Sequence, residues 1–300
     1  MEPIQKMQPI LTVHLMGGLG NQLFQIATAY AYAKRHSMKL VLPRTWDFAA
    51  DRPPVWEEYL EPAVWTFISA EVYTSSHWLV ISEKGFAYSP LPDPLTLNQS
   101  NRHYKLFGYF QSSLYFQDCL EDLRILLKPP QKLLMHSVGS LVRAGMVMQN
   151  TWIGAHVRRG DYLKVAEYHL TCTADYYKGA RSFINEKLSI IVDTQPVCWF
   201  SEDPEWVKAN LFKEGDIIVH GNASVDFTSL TYFKHLILSN SSYSWWAAWL
   251  NSYYYSAAER VICCPDKWFG PSGPKDDDYT IREAGWFVMD TSSGNLVAQV

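Results

Sequence analysis

From Trp152 onward the chain alternates short apolar runs with stretches long enough to form helices, and this constrains its fold more than any other feature. The runs Trp152–Val157, Val197–Ser201, Asp216–Val219, Leu236–Ser239 and Arg260–Cys263 read as strands. Between them, Ala174–Leu188, a short segment after Pro204, Val225–His235 and Tyr243–Leu250 read as helices. Such alternation argues a parallel, doubly wound sheet. The start of the chain follows the same plan: a strand near Ile10–Met16, a turn at Gly17-Gly18-Leu19-Gly20, a helix over Asn21–His36 and a strand over Met38–Leu42. The pattern then dissolves into Pro- and Trp-rich segments until about Tyr109. Helices near Gln117–Leu127 and Gln131–Arg143 follow, separated by Pro129-Pro130. With 300 residues, the expectation is two Rossmann-like domains facing a cleft, 1–148 and 149–300.

In sheets of this kind ligands bind beyond the carboxyl ends of the strands. Four places qualify: Gly17–Gln22, His156–Tyr162, Ser201–Asp203 and Asn240–Ser244. The first is not a dinucleotide fingerprint, because Gly17, Gly18 and Gly20 miss the G-x-G-x-x-G spacing and no P-loop lysine follows. It reads either as a turn admitting a ligand to backbone N–H groups, with Asn21 and Gln22 as extra donors, or as a tight turn with Asn21 as N-cap. The residues do not choose.

At the second place, Arg158 and Arg159 close a strand. Guanidinium forks match phosphate oxygens bidentately, and such bonds contribute about 1.5–3 kcal/mol each. Neighbours on an extended strand point opposite ways. Arg158, on the face of His156, is therefore the one expected to meet a ligand, while Arg159 pairs internally, with Asp161 as a partner. At the last place, Asn240, Ser241 and Ser242 precede a helix and offer a second anion site, although plain N-capping by Ser241 or Ser242 is the simpler account of them alone. The tripeptide Arg159-Gly160-Asp161 is too short to carry an adhesion reading.

Composition narrows the ligand. A formal net charge of −4 excludes a general nucleic-acid binder, so an anionic ligand needs a local basic site. Twelve Trp and eighteen Tyr suit stacking on sugars or bases, though core packing accounts for most of them. Five cysteines without framework spacing fit a reducing compartment. The apolar run near the start is too short for a signal peptide or membrane anchor, and the expected location is cytoplasmic. Without a secretory signal the sequon Asn222-Ala223-Ser224 carries little weight. Asp276-Asp277-Asp278 contains Asp-x-Asp, but in a Pro/Gly loop beside Lys275 it reads as a solvated acidic loop, so no metal site is expected.

Four segments occur together in a known order: GGLGNQLFQIATAYAYAK, HVRRGDY, FSEDPEWVK and SNSSYSWWAAWLN. With GYFQSSLYF and CPDKWFG, they resemble the α-1,2-fucosyltransferases of glycosyltransferase family 11, of bacterial type. The resemblance implies a GT-B-type architecture, GDP-L-fucose as donor, inversion at the fucose anomeric carbon and transfer to the 2-hydroxyl of a galactose-terminated glycan, with no required metal or other cofactor. It maps the family motif onto His156, Arg158, Arg159 and Asp161, with Arg158 and Asp161 as the catalytic pair. It makes Asn240, Ser241 and Ser242 the second phosphate contact, and puts Gly18, Gly20, Asn21 and Gln22 across the cleft near the fucose. Ser201, Asp203 and Asp226 complete the expected donor-binding set. The sequence does not choose a base among Asp161, Glu202, Asp203, Asp226, His14 and His156, and base-free inversion assisted by the donor phosphate stays open. Acceptor recognition is expected in Arg44–Ser100. Two other readings compete: a transferase with another acceptor, and a non-catalytic sugar-binding protein.

Overall fold

The structure, a computed structural model, describes residues 8–43, 59–60, 66–69, 78–97, 103–146, 152–189, 195–275 and 279–300. Two units divide it, Met1–Lys128 with Tyr279–Ile281, and Pro129–Asp278 with Arg282–Val300.

The first unit opens with β1 (Ile10–Val13), α1 (Leu19–Arg35) and β2 (Lys39–Leu40). The expected strand Met38–Leu42 is divided, because β3 (Leu42–Pro43) leaves the sheet to pair with β4 (Ile68–Ser69). With β5 (Leu79–Ser82) and β6 (His103–Phe107), the main sheet has the order β2-β1-β6-β5, all parallel. Helix α1 is rich in alanine and buries Leu23, Phe24, Ile26, Ala27 and Ala31. Its last turn carries Lys34 and Arg35, the signs that suit a helix C-terminus, and they bond Asp122 and Asp118. Asp122 lies on α2 (Leu120–Leu126), which a 3₁₀ turn at Gln117–Cys119 precedes.

The second unit holds α3 (Gln131–Arg143), β7 (Ile153–Val157), α4 (Ala174–Lys187), β8 (Val197–Ser201), α5 (Pro204–Asn210), β9 (Ile217–Val219), α6 (Ala223–Leu230), β10 (His235–Ile237), α7 (Ser242–Asn251), β11 (Ile262–Pro265), β12 (Phe287–Met289) and β13 (Leu296–Gln299). The division falls at Lys128/Pro129 rather than the expected 148/149. The reason is packing: α3 lies against α6, where the Ser137 hydroxyl is 3.1 Å from Val225 O.

The sheet order is β13-β12-β11-β10-β7-β8-β9. Counted from β7, the six parallel strands run 3-2-1-4-5-6, the doubly wound order, and β13 adds an antiparallel edge. The strands expected from the sequence end at Cys263 and do not include β12 and β13; β12 is only three residues long and β13 is exposed throughout, so neither shows a strong apolar period. Strand β7 is buried along its whole length, and Tyr176, Tyr177, Ala180 and Ile184 of α4, which lies against β10, β11 and β12, belong to the same core. A side chain at Gly154 would stand 2.7 Å from the Phe233 ring, so only glycine lets this strand lie so close to the α6–β10 connection. No helix among the described residues is long and apolar enough to cross a membrane.

Candidate active site

The strand order reverses between β7 and β10, which are in register from His235 opposite Ile153 to Ile237 opposite Ala155. At and beyond their carboxyl ends lie His156 to Tyr162 on one side and Ser239 to Ser244 on the other. A doubly wound sheet presents a ligand crevice at this point, and the two most polar strand ends of the second unit meet there.

Arg158 is held by three groups. Its Nη2 donates to Asp161 Oδ1 at 2.5 Å, its Nη1 lies 3.6 Å from Glu202 Oε1, and its guanidinium sits 5.0 Å from the Tyr162 ring centroid. Arg159 is braced differently: Nε donates to Asp203 Oδ2 at 3.1 Å, and the guanidinium lies 4.1 Å over Trp206. The expected Arg159–Asp161 pair is therefore replaced by Arg158–Asp161. The chain turns sharply at Gly160, whose φ is 23°, and this brings Asp161 back under Arg158. Glu202 fixes the turn by accepting the Arg159 N–H at 2.7 Å. A Cβ at Gly160 would stand 2.9 Å from Glu202 Oε1. The sequence offers Glu202 only as a base, and its bracing role carries no sequence signature.

Several expected ligand contacts are spent inside the protein. Ser201 Oγ donates to Val157 O and accepts from Asp203 N, both at 3.0 Å. Asp203 Oδ1 caps α5 through Trp206 N. The Asn240 amide donates to Leu170 O and Trp268 O, at 2.6 and 2.9 Å, so its side chain is a strut between loops and not a phosphate contact. Ser241 is the N-cap of α7, accepting from Tyr243 N. The groups left to meet a ligand are the two guanidinium edges, the His156 ring, the start of α7 and Asp226.

Asp226, in the first turn of α6, accepts the Gly221 N–H through Oδ2 at 2.9 Å. Its Oδ1 is buried and has no hydrogen-bond partner among the described residues. Burial pushes its carboxyl above the usual range, against the Gly221 N–H and His220, which pull it back. His220 ties this corner to β8 by a 2.9 Å bond between Nδ1 and Ser201 O. His156 is buried, and burial together with nearby Arg158 lowers its pKa to about 3. It is thus neutral at any physiological pH, which makes it a weak base and a poor cationic phosphate ligand.

In the first unit, α1 begins two residues earlier than expected, so Gly18 and not Asn21 is its N-cap, and no side chain caps it. Asn21 Oδ1 accepts from Gln111 Nε2 at 2.7 Å, and Gln22 Nε2 donates to Gly17 O at 3.0 Å. Gly20 is buried in the helix. The glycine the turn needs is Gly17, with φ of 75° and Asn21 Nδ2 only 2.4 Å from where a Cβ would stand. His14, at the end of β1, has its pKa lowered by burial and by Lys105. Asp276–Asp278 and most of Arg44–Ser100 lie outside the described residues. Among the described residues no three His, Cys, Asp or Glu side chains gather as a metal site.

Residues 4–255 match the family model described as Glycosyl transferase family 11. The chain belongs to that family. Among family relatives, an Escherichia coli alpha-1,2-colitosyltransferase is 26% identical, over 87% of this chain and 92% of that protein. A rabbit (Oryctolagus cuniculus) galactoside alpha-(1,2)-fucosyltransferase 2 is 24% identical, over 80% and 66%. The fold is similar to Arabidopsis thaliana FUT1 in complex with GDP, with a TM-score of 0.51 at 15% identity over 82% of this chain and 69% of that one. It is also similar to POFUT1 in complex with GDP-fucose, with a TM-score of 0.50 at 10% identity over 86% and 99%. The GT-B-type fold expected from the motifs holds, and so does the family. As a family 11 glycosyltransferase the protein is an enzyme, which removes the non-catalytic reading.

Proposed function

We propose that this glycosyltransferase moves L-fucose from GDP-L-fucose to the 2-hydroxyl of a galactose residue in a glycan, inverting the anomeric carbon and releasing GDP. The observation that carries the reading is the pair of braced arginines at the strand-order reversal of the second unit. Arg158 meets the diphosphate and stabilises the charge that grows on it as the fucosyl carbon becomes oxocarbenium-like. Asp161 orients Arg158. The buried, unpartnered Asp226 Oδ1 suits the ring and exocyclic N–H donors of guanine. In this reading the second unit holds the donor nucleotide. The α-1,2 linkage is supported by the names of both relatives, and the name colitosyltransferase makes a nucleotide-activated colitose a donor to run beside GDP-fucose. The cysteines among the described residues are buried free thiols, which suits the cytoplasm, where we place the reaction.

GDP should raise the melting temperature, since a ligand of the native state stabilises it by mass action. UDP and ADP should do so far less. Equal shifts from all three would remove the guanine reading. Incubation with each donor and a panel of galactosides, with linkage determination of the product, tests the transfer itself; a product on another hydroxyl or on protein would establish the other-acceptor reading.

The arginines supply positive charge that a divalent ion supplies in other sugar transferases, so no metal is needed in this reading. Activity should survive EDTA. Loss restored by Mn²⁺ or Mg²⁺ would assign the leaving-group charge to a metal instead.

A further inference from the structure

Behind His156 runs a chain of buried hydroxyls. His156 Nδ1 is 2.8 Å from Ser239 Oγ, which is 3.3 Å from Ser244 Oγ. Ser244 Oγ lies 3.1 Å from both Ser239 O and Ser241 O. Both serines are fully buried, so water does not complete the network. The Tyr243 ring packs against the imidazole at 4.8 Å and restricts its tilt. His156 Nε2 has no hydrogen-bond partner among the described residues.

The direction of the hydrogens follows from the acceptors. Carbonyl oxygens only accept, and they are the nearer partners of Ser244, so its hydrogen goes to one of them. Its oxygen is then free to accept the Ser239 hydroxyl, and Ser239 oxygen is free to accept from Nδ1. All three hydrogens are bonded in this arrangement. The reverse direction, with the Ser239 hydroxyl donating to Nδ1, forms only two bonds within the protein and leaves the buried Ser244 oxygen without a donor, so the first arrangement holds one more hydrogen bond.

We infer that Ser239 and Ser244 are positioning residues that hold the His156 proton on Nδ1 and present a bare Nε2 to the donor nucleotide as a hydrogen-bond acceptor. The functional half rests on reading this end of the sheet as the GDP site. A diphosphate carries acceptors only, and a bare nitrogen repels it. The group Nε2 accepts from is an N–H or O–H of the nucleoside. His156 thus separates nucleoside from phosphate, while Arg158, two residues on, takes the phosphate.

The test is ¹⁵N NMR of histidine-labelled protein, with the His156 signal identified by its loss in His156→Gln. The expected pattern is a protonated Nδ1 and a bare Nε2, without GDP and with it. Ser244→Ala removes the acceptor of the Ser239 hydroxyl without touching the imidazole. That hydroxyl then turns to Nδ1 and drives the proton to Nε2. GDP affinity should fall about three- to tenfold with the loss of one neutral hydrogen bond. Calorimetry with 2′-deoxy-GDP and IDP distinguishes a ribose hydroxyl from the guanine amine as the donated group.

An Nε2–H in the wild-type protein, or an unchanged tautomer in Ser244→Ala, would overturn the relay even if GDP binds. If the wild type shows the bare Nε2 but does not bind GDP, the relay stands and the donor-site reading falls, and with it the role of Nε2 as an acceptor for the nucleoside.

Discussion

Arg158→Lys is expected to lower kcat/KM for donor transfer by roughly 10²–10³-fold, the loss of about 2–4 kcal/mol of transition-state stabilisation, with an unchanged melting temperature. The bracing explains why charge alone is not enough. Asp161, Glu202 and the Tyr162 ring fix the plane of the guanidinium before any ligand arrives. Lysine keeps the charge, but its ammonium has no plane to fix and cannot reach two diphosphate oxygens in parallel. Arg159→Lys should behave differently. Arg159 is stacked on Trp206 and tied to Asp203 at the start of α5, so its replacement loosens that corner and weakens donor binding more mildly. Steady-state kinetics with GDP-fucose, beside thermal melts, separates the two. Near-normal turnover by Arg158→Lys, or a larger loss in Arg159→Lys at unchanged melting temperature, would transfer the leaving-group role to Arg159.

Much of this is legible in the sequence, for a physical reason. Strand β7, Ile153–Val157, is apolar apart from His156 and then stops at two arginines, and a doubly wound sheet puts such an end at its ligand crevice. Alternation along a strand also separates Arg158 from Arg159 correctly as differently partnered. Their partners are not legible. Asp161 pairs with Arg158 because Gly160 reverses the chain, and a φ near +23° is not written in the identity of its neighbours. Ser201 and Asn240, as polar residues at strand ends, are expected to face a ligand. A buried strand end, however, has backbone carbonyls of its own to satisfy, and those side chains serve Val157, Leu170 and Trp268. The relay through Ser239 and Ser244 is hidden because a serine in an N-S-S run reads first as a cap, and only the register of β10 against β7 brings Ser239 to His156. The strand order itself, with its reversal between β7 and β10, is long-range information that no local pattern contains.

The amino-terminal edge of the same sheet yields the largest expected effect on stability. There Asp216 is buried and accepts from Arg181 Nη1 and Nη2 at 2.9 and 3.0 Å, from Trp199 Nε1 and Val197 N at 2.9 Å, and from Lys213 N at 3.0 Å. These bonds join α4, β8 and the lead into β9. Asp216→Ala takes the carboxylate away from the buried Arg181 guanidinium and strands three neutral donors as well. Breaking a buried pair from one side costs about 3–5 kcal/mol. Arg181→Met should cost less, because the carboxylate it leaves still accepts three neutral hydrogen bonds, which favour the charged form. The donor site proposed above is at the opposite end of the strands, so GDP affinity of the folded protein should not change in either variant. Urea unfolding compared at constant m-value, with GDP binding measured below the transition, checks both statements. A loss in Asp216→Ala no larger than in Arg181→Met would mean that the neutral donors find other partners, and that the ion pair alone accounts for the stability of this edge.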